Sequence, residues 1–151
     1  MNNIKLNIRD IQTKDYATGM DLIKAAVKDY VGEFKIDPIE FNFKAKNFFV
    51  TPGNITKGIF MNDRLIGFVV CTHYETLWNN EKKLCIELFY IESEHRTQND
   101  INEIYTYIED YAHTNGYSSI RFDDSLTYFA DYVKDSIQAK KIATVYERQL
   151  I

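Results

Sequence analysis

A single carboxylate, Glu87, stands in an otherwise apolar run from Leu84 to Ile91. Such a run predicts a strand covered on both faces, where a carboxylate is costly to bury unless it is solvated or partnered. Because buried acids are concentrated at functional sites, Glu87 is a candidate general base, the group that accepts a proton during a reaction. The alternative is that Glu87 faces a solvated end of the sheet or pairs with a lysine or arginine.

Two histidines and a polar loop extend the candidate chemistry. Imidazole titrates near neutral pH, so His73, at the end of a strand, is a candidate to face an opening near Glu87, and His95 is a candidate in the loop after Ile91. This loop runs into the N-terminus of a helix, where free main-chain amides can bind an anion. A competing expectation is that Asp100, with Glu103 three residues later, caps the helix and occupies those amides with its own carboxylate.

The elements that position these groups follow from hydrophobic spacing. Strands are predicted where apolar residues alternate or run together, and helices where they recur every three or four residues. Turn signals at Asn62-Asp63 predict a tight hairpin. The predicted order is β-α-α-β-β-β-α-β-α-β, with strands at Ile4–Arg9, Lys57–Met61, Arg64–His73, Leu84–Ile91, Ser118–Asp123 and Ile142–Leu150, and helices over residues 13–31, 38–50, 100–114 and 126–138.

Each helix has a predicted boundary signal and a predicted buried face. Thr13 is the expected N-cap of the first helix, Asp37 is that of the second, and Gly32 is expected to stop the first. Five phenylalanines lie between Phe34 and Val50; they are ordinary core contacts, a substrate groove or a self-association surface. The first helix is expected to bury Tyr16, Met20, Ile23, Val27 and Tyr30 or Val31, the third Ile101, Ile104, Tyr105, Ile108 and Ala112, and the fourth Leu126, Phe129, Ala130, Val133 and Ile137.

Composition sets the class of protein. At 151 residues with 45% hydrophobic residues, the chain is expected to form one domain, residues 1–151, of class α/β with a mixed central sheet flanked by helices. A net charge of −4 and the lack of a basic block argue against nucleic acid and anionic membrane as partners. Neither a signal segment nor a metal-binding cysteine pattern is evident, so a cytoplasmic protein with reduced thiols and no metal site is expected.

The element order, with the segment ELFYIESEHR running into a long helix, resembles the GCN5-related N-acetyltransferase (GNAT) superfamily, and in particular atypical members encoded by phages. The resemblance covers nearly the whole chain and implies a sheet splayed between the strand at Leu84 and the strand at Ser118. It implies transfer of an acetyl group from acetyl-CoA to the amine of a small molecule or protein. In the family, a loop of pattern Arg/Gln-x-x-Gly-x-Gly/Ala holds the pyrophosphate of CoA on main-chain amides.

The resemblance also assigns roles to residues. It implies Glu87 as the base. Ile137 stands where the family commonly carries a tyrosine that acts as general acid, so Tyr132 or Tyr128 is the nearest substitute for that role, and His73 is a further catalytic candidate because of its imidazole. The resemblance places the cofactor on Phe89, Tyr90, Ile91, Arg96, Thr97, Gln98, Asn99, Asp100 and Ile101.

The chain departs from the family pattern in its loop. Asn99 and Ile101 replace both glycines, and a bulky Ile101 is expected to obstruct the approach of a phosphate to the main chain. These departures favour a second class of function, a catalytically inactive GNAT-fold protein that binds a protein partner. A homodimer completed through the last strand is a third expectation, because an unpaired strand edge invites pairing.

Overall fold

The computed structural model describes residues 5–32, 37–49, 51–137, 142 and 148–149. The helices and strands follow the predicted order as far as the fourth helix, and the predicted strand Ile142–Leu150 lies outside the described residues. In chain order they are β1 (Asn7–Asp10), α1 (Tyr16–Val31), α2 (Pro38–Phe48), β2 (Ile55–Met61), β3 (Arg64–Glu75), β4 (Lys82–Ile91), α3 (Gln98–Thr114), β5 (Ser119–Arg121) and α4 (Tyr128–Ser136), with short 3₁₀ turns at Thr13–Asp15, Ser93–His95 and Asp124–Leu126.

The five strands form one mixed sheet in the order β1-β2-β3-β4-β5. Neighbours are antiparallel except β4 and β5, which run parallel and pair only at Lys83–Ser119, Leu84–Ile120 and Cys85–Arg121. Beyond Cys85 the two strands diverge. Among the described residues, the second half of β4 therefore has one edge that pairs with no strand, which is the splay expected from the resemblance.

Helices cover the sheet unequally on its two faces. On one face the predicted stripe of α3, from Ile101 to Ala112, is buried against β3 and β4 together with Phe129, Ala130 and Val133 of α4. On the other face α1 packs over Phe68, Val70 and Tyr90. The apolar periods of α3 and α4 thus predicted their buried faces correctly, and the mixed α/β architecture is confirmed.

The first helix differs from its prediction in two respects. Its most buried residues are Leu22 and Ala26, whereas the predicted stripe from Tyr16 to Tyr30 is only half buried, because the helix is rotated by about one residue on the sheet. Thr13 is not an N-cap. It begins a 3₁₀ turn in which the carboxylate of Asp15 accepts a hydrogen bond from the main-chain N–H of Gln12 at 2.9 Å. Gly32 ends the helix at φ 82°, as predicted.

The boundary signals of α2 and of the β2–β3 turn hold, whereas that of α4 does not. Asp37 caps α2 through hydrogen bonds from the N–H groups of Ile39 and Glu40, and Asn62-Asp63 makes the β2–β3 turn with positive φ at both residues. Leu126 belongs to a 3₁₀ turn, and not to α4, because Thr127 at φ 49° interrupts the helical path. Of the five phenylalanines, Phe41 is buried, Phe43 is 69% exposed, Phe49 is stacked on Tyr16, and Phe34 and the side chain of Phe48 lie outside the described part.

Strand β4 is irregular at Glu87. Val70 of β3 pairs with Leu88 and Cys71 pairs with Ile86, so Glu87 is the unpaired residue of a β-bulge. Both Glu87 and Leu88 are exposed, so the prediction of a strand covered on both faces is wrong here. At Gly67 a Cβ atom would lie 2.4 Å from the carbonyl oxygen of Tyr90, so glycine lets β3 pass close to the end of β4.

Candidate functional site

Glu87 lies on an open part of the sheet. Its Oε1 accepts a hydrogen bond of 2.8 Å from the hydroxyl of Thr72 on β3, and its side chain is exposed to solvent. The exposure matches the alternative in which Glu87 faces solvent, with a threonine and not a lysine or arginine as partner, so the burial that suggested a base is absent and the role of base stays a prediction. An exposed carboxylate with a fixed neighbour is accessible to a substrate and able to accept a proton.

His73 does not join Glu87, contrary to the expectation from sequence. Side chains alternate along β3, so Thr72 and His73 point to opposite faces of the sheet, and the ring of His73 packs edge-on against Tyr117 at 6.1 Å. Cys85, which precedes Glu87 on the same face of β4, is free and half buried. Burial and the nearby charge of Glu87 raise the pKa of the Cys85 thiol, which disfavours a nucleophilic thiolate.

The unpaired edge of β4 is closed by two tyrosine hydroxyls. Tyr30 of α1 donates a hydrogen bond of 2.5 Å to the carbonyl oxygen of Phe89, and the N–H of Ile91 donates one of 3.1 Å to the hydroxyl oxygen of Tyr128 in α4. These are the main-chain groups that β5 would pair with if the strands did not diverge. Burial raises the pKa of both phenols, so each hydroxyl stays protonated at neutral pH.

Arg96 lies over the same edge, and two of its guanidinium nitrogens are bonded to the protein. Its Nε donates to the carbonyl oxygen of Ile91 at 3.0 Å, and its Nη2 donates to Oδ2 of Asp29 on α1 at 2.6 Å. The guanidinium also stacks over the ring of Tyr128 at 4.4 Å. Arg96, the cation expected to meet a phosphate, is thus turned away from the helix N-terminus and towards the splay.

The N-terminus of α3 is capped by Thr97, and not by Asp100. The hydroxyl of Thr97 accepts a hydrogen bond from the N–H of Asp100 at 3.2 Å, and the N–H of Ile101 bonds to the carbonyl oxygen of Thr97. The first amides, of Gln98 and Asn99, precede these bonds and so remain for solvent or an anion. Ile101, whose bulk is expected from the sequence to obstruct a phosphate, has its side chain fully buried in the core.

Charges around this loop are largely paired with one another. Arg64 of β3 contacts Glu92 at 2.8 Å and Glu94 at 3.6 Å, while Nδ1 of His95 lies 3.4 Å from Oδ2 of Asp100. Glu92, Glu94 and His95 bring one ligand atom each within 4.8 Å of one another, and the carboxylates of both glutamates are already paired with the guanidinium of Arg64. The loop therefore offers an anion two amides and little free positive charge.

The remaining predicted site residues line the splay or support it. Phe89 and Ile91 are fully buried and offer a ligand only their main-chain groups, and Tyr90 is buried under Arg96. The hydroxyl of Tyr132 in α4 donates a hydrogen bond of 3.3 Å to the carbonyl oxygen of Arg96, so Tyr132 lies at the loop before α3. Within the described part of the chain it forms no hydrogen bond with Glu87. Asp29, Tyr30 and Thr72 were missed by the sequence reasoning, since no local pattern marks them.

Two further surface properties bear on function. A depression of about 200 Å³ lies between α3 and β5, lined by Tyr105, Glu109 and Ser119 among others, and contains none of the predicted site residues. Within the described ranges, no helix has the length and apolar character to cross a membrane.

The fit to acetyl-CoA is uneven along the expected path. The amides of Gln98 and Asn99 at the start of a 17-residue helix suit an anionic group such as a diphosphate. An extended arm that leads from there towards Glu87 would pair with Phe89 and Ile91, and those main-chain groups are already bonded to Tyr30 and Tyr128. Because side chains and not main chain make this closure, rotation of a few residues would expose the edge.

Comparisons with known proteins concern the fold. No family model matches the sequence, and no curated protein is significantly similar to it. Solved structures, in contrast, share the fold over nearly the whole length of this chain. A ribosomal-protein-alanine N-acetyltransferase from Brucella melitensis has a TM-score of 0.77 at 14% identity over 97% of this chain and 100% of that one.

Two further structures give the same result. A predicted acetyltransferase from Clostridium acetobutylicum, solved with acetyl-CoA, has a TM-score of 0.72 at 15% identity over 95% and 96% of the two chains. An aminoglycoside acetyltransferase from an uncultured soil metagenomic sample, in complex with sisomicin, has a TM-score of 0.73 at 11% identity over 97% of each chain. With its splayed mixed sheet and flanking helices, this chain has the GNAT fold of these acetyltransferases.

Proposed function

We propose that the protein is an N-acetyltransferase that uses acetyl-CoA as donor and an amine as acceptor, with Glu87 as general base. The observation that carries the proposal is the position of Glu87. It is an exposed carboxylate at a bulge of β4, four residues before the end of the strand that leads to the helix N-terminus, in a GNAT fold.

Each nearby group has a role in this proposal. Glu87 takes the proton that the amine loses, directly or through water, and Thr72 holds the carboxylate by its hydrogen bond. The amides of Gln98 and Asn99 hold the anionic end of the donor. Acetyl-CoA, when bound, supplies the activated acyl carbon and a thiolate leaving group. The surface in front of Glu87 receives the acceptor.

The test is acetyl transfer by the purified protein to a panel of amines. Because two fold neighbours act on different acceptors by their names, the panel pairs an aminoglycoside, sisomicin, with a peptide that begins with alanine. Products are followed by mass spectrometry, which detects the acetylated acceptor directly. We expect Glu87→Gln to abolish transfer while the melting temperature stays unchanged, because the side chain is exposed.

The matched control is Glu75→Gln, an exposed carboxylate at the end of β3 whose side chain alternation places on the face opposite Thr72. Control activity should equal that of the wild type. Transfer by Glu87→Gln at the wild-type rate would remove Glu87 from the role of base.

A second candidate is a catalytically inactive GNAT-fold protein that works by binding a protein partner. The specific observation in its favour is the occupied edge of β4. Tyr30, Tyr128 and Arg96 already bond to the main-chain groups that a donor would need. Thermal melting with acetyl-CoA separates the two functions. Donor at about 100 times its dissociation constant stabilises an enzyme by roughly 2.7 kcal/mol. An unchanged melting temperature at millimolar acetyl-CoA would support the inactive protein, if it is found both for the wild type and for Tyr128→Phe, which frees the N–H of Ile91 at this edge.

A further inference from the structure

Four side chains from three segments meet over the unpaired edge of β4. Asp29 and Tyr30 come from α1, Arg96 from the loop before α3, and Tyr128 from α4. Arg96 connects them, because it stacks on Tyr128 and forms an ion pair with Asp29 on the other side of the splay. With the bonds from Tyr30 to Phe89 and from Ile91 to Tyr128, these contacts form one connected group, here called the edge latch.

A donor bound as proposed has to displace the edge latch. The helix N-terminus lies just beyond Ile91, and Glu87 lies four residues back along β4, about 13 Å at roughly 3.3 Å per residue. A ligand with its anionic end on the amides of Gln98 and Asn99 and its reactive end at Glu87 must run along that edge. The two amides of the CoA arm would need the same main-chain groups that Tyr30 and Tyr128 now satisfy.

The edge latch has a charged element that can be released without damage to the core. Asp29 is about half exposed, with 47% of its side-chain surface accessible, and the side chain of Arg96 is 23% accessible. An ion pair at such a surface is held weakly, so it can exchange one anion for another. Arg96 immediately precedes Thr97, the N-cap of α3, so it is close to the helix N-terminus once it is released from Asp29. A guanidinium pairs well with phosphate.

We propose that the edge latch is an autoinhibitory gate. Asp29 holds Arg96 over the unpaired edge of β4 from Glu87 to Ile91, here called the donor groove, until a phosphate of the donor replaces Asp29 as the partner of Arg96. This inference rests on the proposed function and concerns its regulation. The closed state lowers the apparent donor affinity by the fraction of molecules that are open. Arg96 is then a counterion to Asp29 in the closed state and a phosphate ligand in the open state.

The experiment measures the dissociation constant of CoA by isothermal titration calorimetry for the wild type, Asp29→Asn, Tyr128→Phe and the double variant. Asp29→Asn removes the partner of Arg96 at an exposed position, and Tyr128→Phe frees the N–H of Ile91 but keeps the ring. We expect each single variant to bind about tenfold more tightly than the wild type, the loss of about one hydrogen bond or ion pair from the closed state. The double variant should bind more tightly than either.

Matched controls are Asp131→Asn, which breaks an exposed ion pair with Lys134 on α4, and Tyr107→Phe, which removes a half-buried hydroxyl of α3. Both should bind CoA as the wild type does. A second readout that needs no ligand is the exchange rate of the Ile91 amide proton by NMR, which should rise in Tyr128→Phe and stay unchanged in Tyr107→Phe.

The outcomes separate this inference from the function on which it rests. Equal and measurable CoA affinity in the wild type and both edge-latch variants would overturn the gate and leave the donor assignment in place. Absence of CoA binding in every variant, with Ile91 exchange raised in Tyr128→Phe, would overturn both, because the edge would then be open and still not accept the donor.

Discussion

The hydroxyl of Thr72 and the carboxylate of Glu87 face each other across β3 and β4, joined by a hydrogen bond of 2.8 Å between Oγ1 and Oε1. Thr72 lies in the regular part of β3, whereas Glu87 is the unpaired residue of the bulge in β4. A threonine on a regular strand thus fixes the position of a carboxylate on an irregular one. This pairing gives Thr72 a positioning role in the proposed reaction.

Thr72→Val removes that hydroxyl at nearly constant shape. We expect kcat for acetyl transfer to fall about tenfold, the effect of one hydrogen bond to a charged group after allowance for solvent exposure, with the melting temperature unchanged. Thr72→Ser keeps a hydroxyl and should restore most of the activity. Full activity in Thr72→Val would show that Glu87 needs no support from β3.

Arg9 and Asp15 form an ion pair of 3.0 Å near the start of α1, and only 10% of the Asp15 side chain is exposed. Burial alone would raise the pKa of Asp15, but hydrogen bonds from Arg9 and from the N–H of Gln12 outweigh it and hold the pKa below 3.8. Arg9→Met should lower the free energy of unfolding by about 1–3 kcal/mol at pH 7, measured by urea denaturation. Lys28→Met, at an exposed position of α1, serves as the control.

The same pair has a defined pH dependence. A carboxylate whose folded pKa is lowered stabilises the fold above its unfolded pKa of 3.8, and this contribution is lost as the pH falls below that value. Arg9→Met should therefore lose less stability than the wild type between pH 5 and pH 2, since its Asp15 has no ion pair to lose. Parallel curves for the two proteins would contradict this assignment.

Tyr105 predicts a loss of stability in alkali. Burial, followed by the charge of Glu109 and a hydrogen bond to it, raises the pKa of Tyr105 to about 12. Between about pH 10, where an unfolded tyrosine ionises, and about pH 12, the unfolded state gains charge that the folded state does not, so stability falls. Tyr105→Phe should make this decline shallower in urea denaturation at pH 9, 10 and 11. An unchanged decline would assign it to other tyrosines.

Substitution of Phe129 tests the packing of the core beneath the splay. Its ring is fully buried and lies 4.5 Å from that of Phe89 between centroids. Phe129→Ala should cost about 3–5 kcal/mol through lost contacts and the cavity left behind. Phe43→Ala removes the same atoms from a side chain that is 69% exposed and should change stability by less than about 0.5 kcal/mol. Comparable losses would contradict the burial of Phe129.

Local signals predicted the order of the elements well, and most of the errors in the elements concern the exact positions of helix caps. The hairpin at Asn62-Asp63, the cap at Asp37 and the buried stripe of α3 each depend on residues within a few positions of one another. The pattern Asp100 to Glu103 predicts Asp100 as the cap of α3, but Thr97, three residues earlier, carries the same kind of signal and is the cap.

The site was harder to predict because its contacts connect distant parts of the chain. Tyr30 and Phe89 are 59 residues apart in sequence, and Arg96 and Asp29 are 67 apart. No periodicity or spacing connects such pairs. The sequence leaves the exposure of Glu87 open for a similar reason, since an apolar run predicts burial whereas the bulge that contains Glu87 depends on the pairing with β3.

The pairing of β4 with β5 has a consequence for folding. Strands β2, β3 and β4 are joined by short connections and pair as an antiparallel meander, whereas β5 reaches β4 only after the whole of α3, 36 residues from Lys83 to Ser119, and pairs at three positions. Contacts of short sequence separation form fastest because their loops cost least entropy to close. We therefore expect the meander to form early and the splay to assemble late, so that the proposed donor groove is among the last regions of the molecule to acquire its structure.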